Sequence, residues 1–212
     1  MRLILASTSP RRKELLALLG RPFEVCAPSF IERLDSHRPA EEQAKEFALN
    51  KALSCGPSFS EDLIVGSDTV IALGDEVIGK PHDRADAEAI LRRLMGKEHR
   101  IWTAVAVVCE RQGIRDIAAD TVRVLMARWD GARLAAYLRT GESMGKAGAY
   151  SIQGAAGELI ERIDGDFTAA VGLPLRLLAS LLAARGLGPL SDVETLYRTR
   201  PYPNWNRFGS LP

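Results

Sequence analysis

From Leu63 to Leu73 the chain is almost continuously apolar, broken only in the middle by Ser67-Asp68-Thr69. A run of that length and β-branched content reads as a strand. An ionised carboxylate in such a strand is costly without a partner. Gly66, two residues before it, points to a bulge or to the close approach of another group. Asp68 therefore reads as a metal ligand or a general base for water. A solvent-facing strand residue or a structural hydrogen-bond acceptor is the plainer alternative.

Strand-like segments at 3–6, 23–27, 63–73, 101–109, 114–126 and 159–163 alternate with helix-like ones at 10–20, 40–55, 83–96, 130–139 and 174–184. That alternation predicts an α/β protein with a mixed sheet. Residues 28–39, 77–81 and 141–157 read as loops, the last rich in glycine. From about Gly186 the character changes, and 188–212 reads as an irregular tail lying on the surface or on a partner subunit. Its aromatics, Tyr197, Tyr202, Trp205 and Phe208, are expected to pack onto the body.

The first helix breaks a rule at its start. Ser9 suits the N-cap, Pro10 the first helical position, and Gly20 the stop. Arg11 and Arg12 then stand in the first turn, where the positive end of the helix dipole repels a cation. With hydroxyls and free backbone N–H groups beside them, they read as a site for an anion; a pair of solvated surface arginines is the plainer alternative. Lys51 breaks its pattern too. At about 100° per residue it falls on the face made by Ala44, Phe47, Ala48 and Cys55. It is either a lysine whose stem covers the core or an ammonium aimed at a phosphate or carboxylate.

Lys80, in Gly79-Lys80-Pro81, and Glu32, a single acid in a loop, say little alone. In the run from Gly145 to Gly154, small residues permit close backbone approach, and the Gln153 amide can donate to and accept from a ring edge. His37, His82 and His99 are scattered and read as surface or structural. No Ser-His-Asp order, Walker A loop or zinc spacing is present. One or two acids, two to four cations and no covalent nucleophile suit metal-assisted attack of water on a polyphosphate.

The formal net charge of +1 leaves no broad basic field for nucleic acid, so any anion site is local. Cys26, Cys55 and Cys109 match no metal spacing and read as buried thiols, which fits a reducing cytosol. No signal-peptide pattern opens the chain, and no apolar run reaches the roughly 18 residues of a membrane span.

Seven motifs in order resemble the Maf family of nucleoside triphosphate pyrophosphatases. They stand here as Ala6-Ser7-Thr8-Ser9-Pro10-Arg11-Arg12, Glu32, Asn50-Lys51-Ala52, Ser67-Asp68-Thr69-Val70, Gly79-Lys80-Pro81, the run from Lys146 to Gly154, and Val171-Gly172-Leu173-Pro174-Leu175. The resemblance covers 1–187, leaving 188–212 outside. It implies a mixed twisted sheet flanked by helices, with two lobes around a central cleft, as in inosine-triphosphate pyrophosphatases. It implies cleavage between the α- and β-phosphates with a divalent metal, Mg²⁺ or Mn²⁺, in a homodimer, and the cysteine usage above points to a cytoplasmic protein. On that pattern Asp68 accepts the proton from water, and Glu32 and Asp68 hold the metal. Ser7, Arg12, Lys51 and Lys80 hold phosphates, while Arg11, Thr69 and Gln153 match the positions tied to substrate choice. The run from Lys146 to Gly154 resembles the dTTP/UTP branch rather than the 7-methyl-GTP one, with ordinary and modified pyrimidine nucleotides both open. The chain departs from the pattern at Ile31, where a second acid is usual, at 143–145, and at 165–170. A non-catalytic nucleotide-binding regulator of cell division is the alternative that the thinned acidic loop allows.

Overall fold

A computed structural model describes residues 1–208. In chain order the elements are β1 (Leu3–Ala6), α1 (Pro10–Ala17), β2 (Glu24–Cys26), α2 (Ala40–Cys55), β3 (Leu63–Leu73), β4 (Glu76–Ile78), α3 (Arg84–Leu94), β5 (Glu98–Cys109), β6 (Ile114–Met126), α4 (Gly131–Arg139), β7 (Ile160–Asp164), α5 (Phe167–Val171), α6 (Leu175–Ala183), α7 (Val193–Thr199) and α8 (Trp205–Phe208). The strands form one seven-stranded mixed sheet in the order β2-β1-β3-β5-β6-β7, with β4 attached to β3. β1 is parallel to β2 and β3, whereas β3, β5, β6 and β7 run antiparallel in turn.

Side chains alternate across the pleat, so each strand feeds both faces. On β3, Leu63, Val65 and Ile71 enter a large cluster with Leu15, Leu16, Leu91, Leu178 and others from α1, α3 and α6. Ile64, Val70 and Ala72 enter a second cluster with Ala44, Phe47, Ala48 and Ala52 of α2. Exposed ion pairs such as Arg92–Glu88 (2.6 Å) add at most about 1 kcal/mol each, so apolar burial on the two faces carries the fold.

One edge of β3 is shared and interrupted. β1 pairs with Leu63–Gly66 and β4 with Ile71–Leu73, and neither reaches Ser67, Asp68, Thr69 or Val70. That notch sits where β1 ends and runs into the Ser7-Thr8-Ser9 turn. It lets side chains from either face of β3 reach one space.

The structure corrects several readings. The segment after Gly74 is not simply an extended loop, because Glu76–Ile78 closes a hairpin on β3. Cys26 is only half-buried, since β2 is the sheet edge, while Cys55 and Cys109 are buried. Between the expected strand at 159–163 and helix at 174–184 lies a further helix, α5, which Asp166 caps by accepting from the Thr168 amide (2.8 Å). The tail is not irregular either. It forms α7 and α8, and Leu196, Tyr202, Trp205 and Phe208 are buried on the body. The part of the expected tail at 209–212 lies outside the described residues.

Candidate active site

The notch opens into a cavity of about 620 Å³ between the loop 28–39 and α2 on one side and the 141–157 segment on the other. A nucleotide-sized ligand falls within the usual range for such volumes. Ser7, Arg11, Arg12, Glu32, Lys51, Asp68, Thr69 and Lys80 all line it. Gln153 does not; it is half-buried behind the wall, facing the Tyr202 hydroxyl of the tail. Lys146 also lines the cavity, a cation that the sequence marks only as part of the Gly-rich run.

Gly66 explains how the acid and the lysine meet. A methyl group there would lie 2.1 Å from the Ala48 carbonyl oxygen and 2.9 Å from the Ala52 nitrogen of α2. The helix backbone thus rests directly on the strand, as the lone glycine suggests. Lys51 lies on that same face, one turn from Ala48, and Asp68 lies two residues along β3 on the side facing α2. Their ammonium and carboxylate are in direct contact, both buried. Lys51 also reaches Glu32 (2.5 Å), and Lys80 holds the other oxygen of Glu32 (2.7 Å). The result is an alternating row, Lys80–Glu32–Lys51–Asp68, along one wall.

Burial alone would raise the Glu32 carboxyl, but Lys51 and Lys80 outweigh it and hold it at about 2. Asp68 goes the other way. Burial pushes it above the ordinary carboxylate value, against the pull of Lys51 and Arg12 and with the charge of Glu32 adding to the rise. The two acids of one site thus sit in opposed environments: two lysines hold Glu32 ionised, while burial works against the charge of Asp68.

The opposite face supplies the arginines. Thr69 points away from α2, and its hydroxyl accepts from Arg12 Nη2 (3.3 Å). Arg12 Nε donates to the Gly172 carbonyl at the end of α5 (2.9 Å), an oxygen that also accepts from Ser67 Oγ (3.1 Å). Arg11 Nη1 donates to Ser151 Oγ (3.2 Å). Burial works against the charge of both guanidiniums. Their hydrogen bonds go to hydroxyls and a backbone carbonyl rather than to carboxylates. Among the described residues five cationic and two acidic side chains line the cavity, so these acids do not neutralise it. The Gly148 amide donates to the Gly79 carbonyl (3.0 Å), joining the Gly-rich segment to the loop that carries Lys80.

His99, expected to be surface or structural, is buried under the cavity wall. Its Nε2 meets the hydroxyl of Tyr150 (2.7 Å), a cavity-lining residue, while Nδ1 has no partner among the described residues. Burial lowers the imidazole to about 4. An unfolded histidine titrates near 6.5, so the unfolded chain binds the extra proton between those values. Stability from this residue is therefore full above pH 6.5 and is lost as pH falls toward 4. At about 1.4 kcal/mol per pH step, the loss is about 3 kcal/mol. Urea unfolding at pH 7 and pH 4 should show it, and His99→Gln, which cannot titrate, should remove about that much of the slope. An identical slope in the variant would show that His99 is not buried neutral.

Fold and cavity together define an α/β protein with an anion-suited cleft in its sheet. The Maf-like protein family matches residues 2–185, and the chain belongs to that family. It is 43% identical over 183 residues to the dTTP/UTP pyrophosphatase of Gloeobacter violaceus, covering 86% of this chain and 95% of that one. With the dTTP/UTP pyrophosphatase of Pelotomaculum thermopropionicum it shares 37% over 188 residues, 89% and 98% of the two chains. With that of Bacillus velezensis it shares 40% over 174 residues, 82% and 91%. The solved Ham1 protein of Staphylococcus aureus overlaps 60% of this chain and 72% of its own at 12% identity with a TM-score of 0.43, too loose a likeness to carry an assignment.

Proposed function

We propose that this protein is a nucleoside triphosphate pyrophosphatase acting on dTTP and UTP, releasing the monophosphate and pyrophosphate. One observation carries the reading: a buried carboxylate of raised proton affinity, Asp68, shares one cavity with Lys51, Arg12 and Lys80. The relatives named dTTP/UTP pyrophosphatases support the substrate class.

In this mechanism Arg12, Lys51 and Lys80 bind the phosphate oxygens, Lys51 and Lys80 exchanging carboxylate partners for phosphate. Ser7 and the turn amides add hydrogen bonds. Asp68 accepts a proton from a water molecule as its oxygen attacks the α-phosphorus, and the bond to the bridging oxygen breaks. The emerging negative charge on pyrophosphate falls beside the cations, which stabilise it. Arg11, Thr69 and the 150–153 segment orient the nucleoside.

A divalent cation belongs to the proposal. Among the described residues no group of three or more His, Cys, Asp or Glu gathers as a cation cage. Two carboxylate donors facing one cavity suit Mg²⁺ or Mn²⁺, which take one or two carboxylates and complete their shell with substrate phosphate and water. Glu32 and Asp68 would hold it, and it would supply charge neutralisation on the phosphates. The homodimer rests on the family resemblance and the cytoplasmic setting on the sparse, free cysteines; no helix among the described residues is long and apolar enough to cross a membrane.

Incubation with UTP, dTTP, CTP and 7-methyl-GTP plus Mg²⁺ or Mn²⁺ tests the reaction. Monophosphate and pyrophosphate are expected, with UTP and dTTP preferred and EDTA abolishing turnover. Diphosphate and orthophosphate would place the cleavage at another bond, and nucleotide binding with no product would favour the non-catalytic alternative.

A further inference from the structure

The tail docks behind the part of the cleft that Tyr150 and Ile152 line. Residues 188–208 lie beyond the family match at 2–185. They cross α1 first: the Leu190 and Ser191 amides both donate to the Leu19 carbonyl (2.9 and 3.2 Å). Tyr197 then donates to Asp166 (2.7 Å), and Trp205 stacks on Phe167 with ring centres 5.5 Å apart. These contacts anchor the tail on α5.

Between the anchors, two side chains reach the cavity wall from behind. The Tyr202 hydroxyl donates to Glu14 of α1 (2.7 Å), one turn after Arg11, and Gln153 faces the same oxygen. Asn204, in a left-handed conformation (φ 64°), turns its amide so that Nδ2 donates to the Ile152 carbonyl (2.8 Å). Tyr150 and Ile152 line the cavity, and Arg11 bonds Ser151 between them. One tail thus bridges the helix that carries the arginines and the segment that carries the apolar wall.

We infer that Tyr202 and Asn204 are positioning residues, through which the tail fixes the 150–154 segment against α1 and sets the affinity and selectivity for the nucleoside. This rests on the pyrophosphatase reading above. A tail that only covered apolar surface would leave both polar groups in solvent; instead Asn204 ends on the backbone of Ile152, a cavity-lining residue, and Tyr202 on Glu14 of the helix that carries the arginines.

Tyr202→Phe keeps the ring and removes only the hydroxyl. Asn204→Asp keeps the shape and turns the donor into a carboxylate facing a carbonyl. The test is steady-state hydrolysis of UTP and CTP by the full-length chain, beside thermal unfolding. Loss of one such hydrogen bond is expected to raise KM for UTP about three- to tenfold, with kcat near wild type and the preference for UTP over CTP reduced. A fall in kcat and Tm at unchanged KM would mean a structural role only and would overturn the inference, as would unchanged kinetics in both folded variants. If the wild-type protein releases no pyrophosphate, the pyrophosphatase reading fails first. Calorimetric binding of a non-hydrolysable UTP analogue to the same variants then judges the tail, with weaker binding supporting it and equal binding refuting it.

Discussion

Asp68→Asn is expected to lower kcat by about 10²- to 10⁴-fold while nucleotide binding persists. The amide keeps the size and polarity of the carboxyl but cannot accept a proton from water. The other acid on that wall, Glu32, is held at about 2 by Lys51 and Lys80 and is too weak a base to take its place. The substitution also frees Lys51 from one of its two carboxylates, leaving more of its charge for phosphate; KM should hold or fall. Single-turnover assays with UTP beside calorimetric binding would separate the two effects. Turnover at the wild-type rate would remove Asp68 from the role of base and leave the row of charges as a binding device.

Gly66→Ala should destabilise the protein by about 3 kcal/mol or more, beyond most core substitutions. The added methyl meets the Ala48 carbonyl at 2.1 Å and the Ala52 nitrogen at 2.9 Å. These are backbone atoms in the middle of a 16-residue helix, so no rotamer change relieves the clash. Either α2 lifts from the sheet, opening the cluster around Phe47 and Ala52, or β3 shifts and disturbs pairing with β1 and β5. Both routes also draw Lys51 away from Asp68. For a chain of this size the midpoint of thermal unfolding should fall on the order of 10 °C. A midpoint within about 1 °C of wild type would mean that the strand and helix do not touch as described.

Much of this is legible in the sequence because the signals are local. The bounds of α2 and β3 follow from apolar periodicity and from an unbroken apolar run. Asp68, Lys51 and the arginine pair stand out as charges that violate their own element's pattern, and the structure puts them in one cavity. The close approach at Gly66 is readable from a glycine beside a buried acid. What escapes depends on partners distant in sequence. β4 is three residues long and is a strand only because β3 pairs with it. α5 has five residues, too few for a helical period to register. Gln153 looks like a wall residue because nothing near it announces that Tyr202, 49 positions later, stands opposite. His99 gives no signal, since a lone histidine in a strand acquires meaning only from Tyr150 folding over it.

The interruption along β3 bears on how the protein responds to substrate. A sheet whose central strand is paired on one edge only over four residues has a weak seam, and here the seam faces the cleft. A polyanion bridging the β1 turn, α2 and the Lys80 loop would stitch those parts across it. Substrate would then act as a missing piece of the scaffold, and the same contacts that orient a phosphate for attack would stiffen the molecule around it.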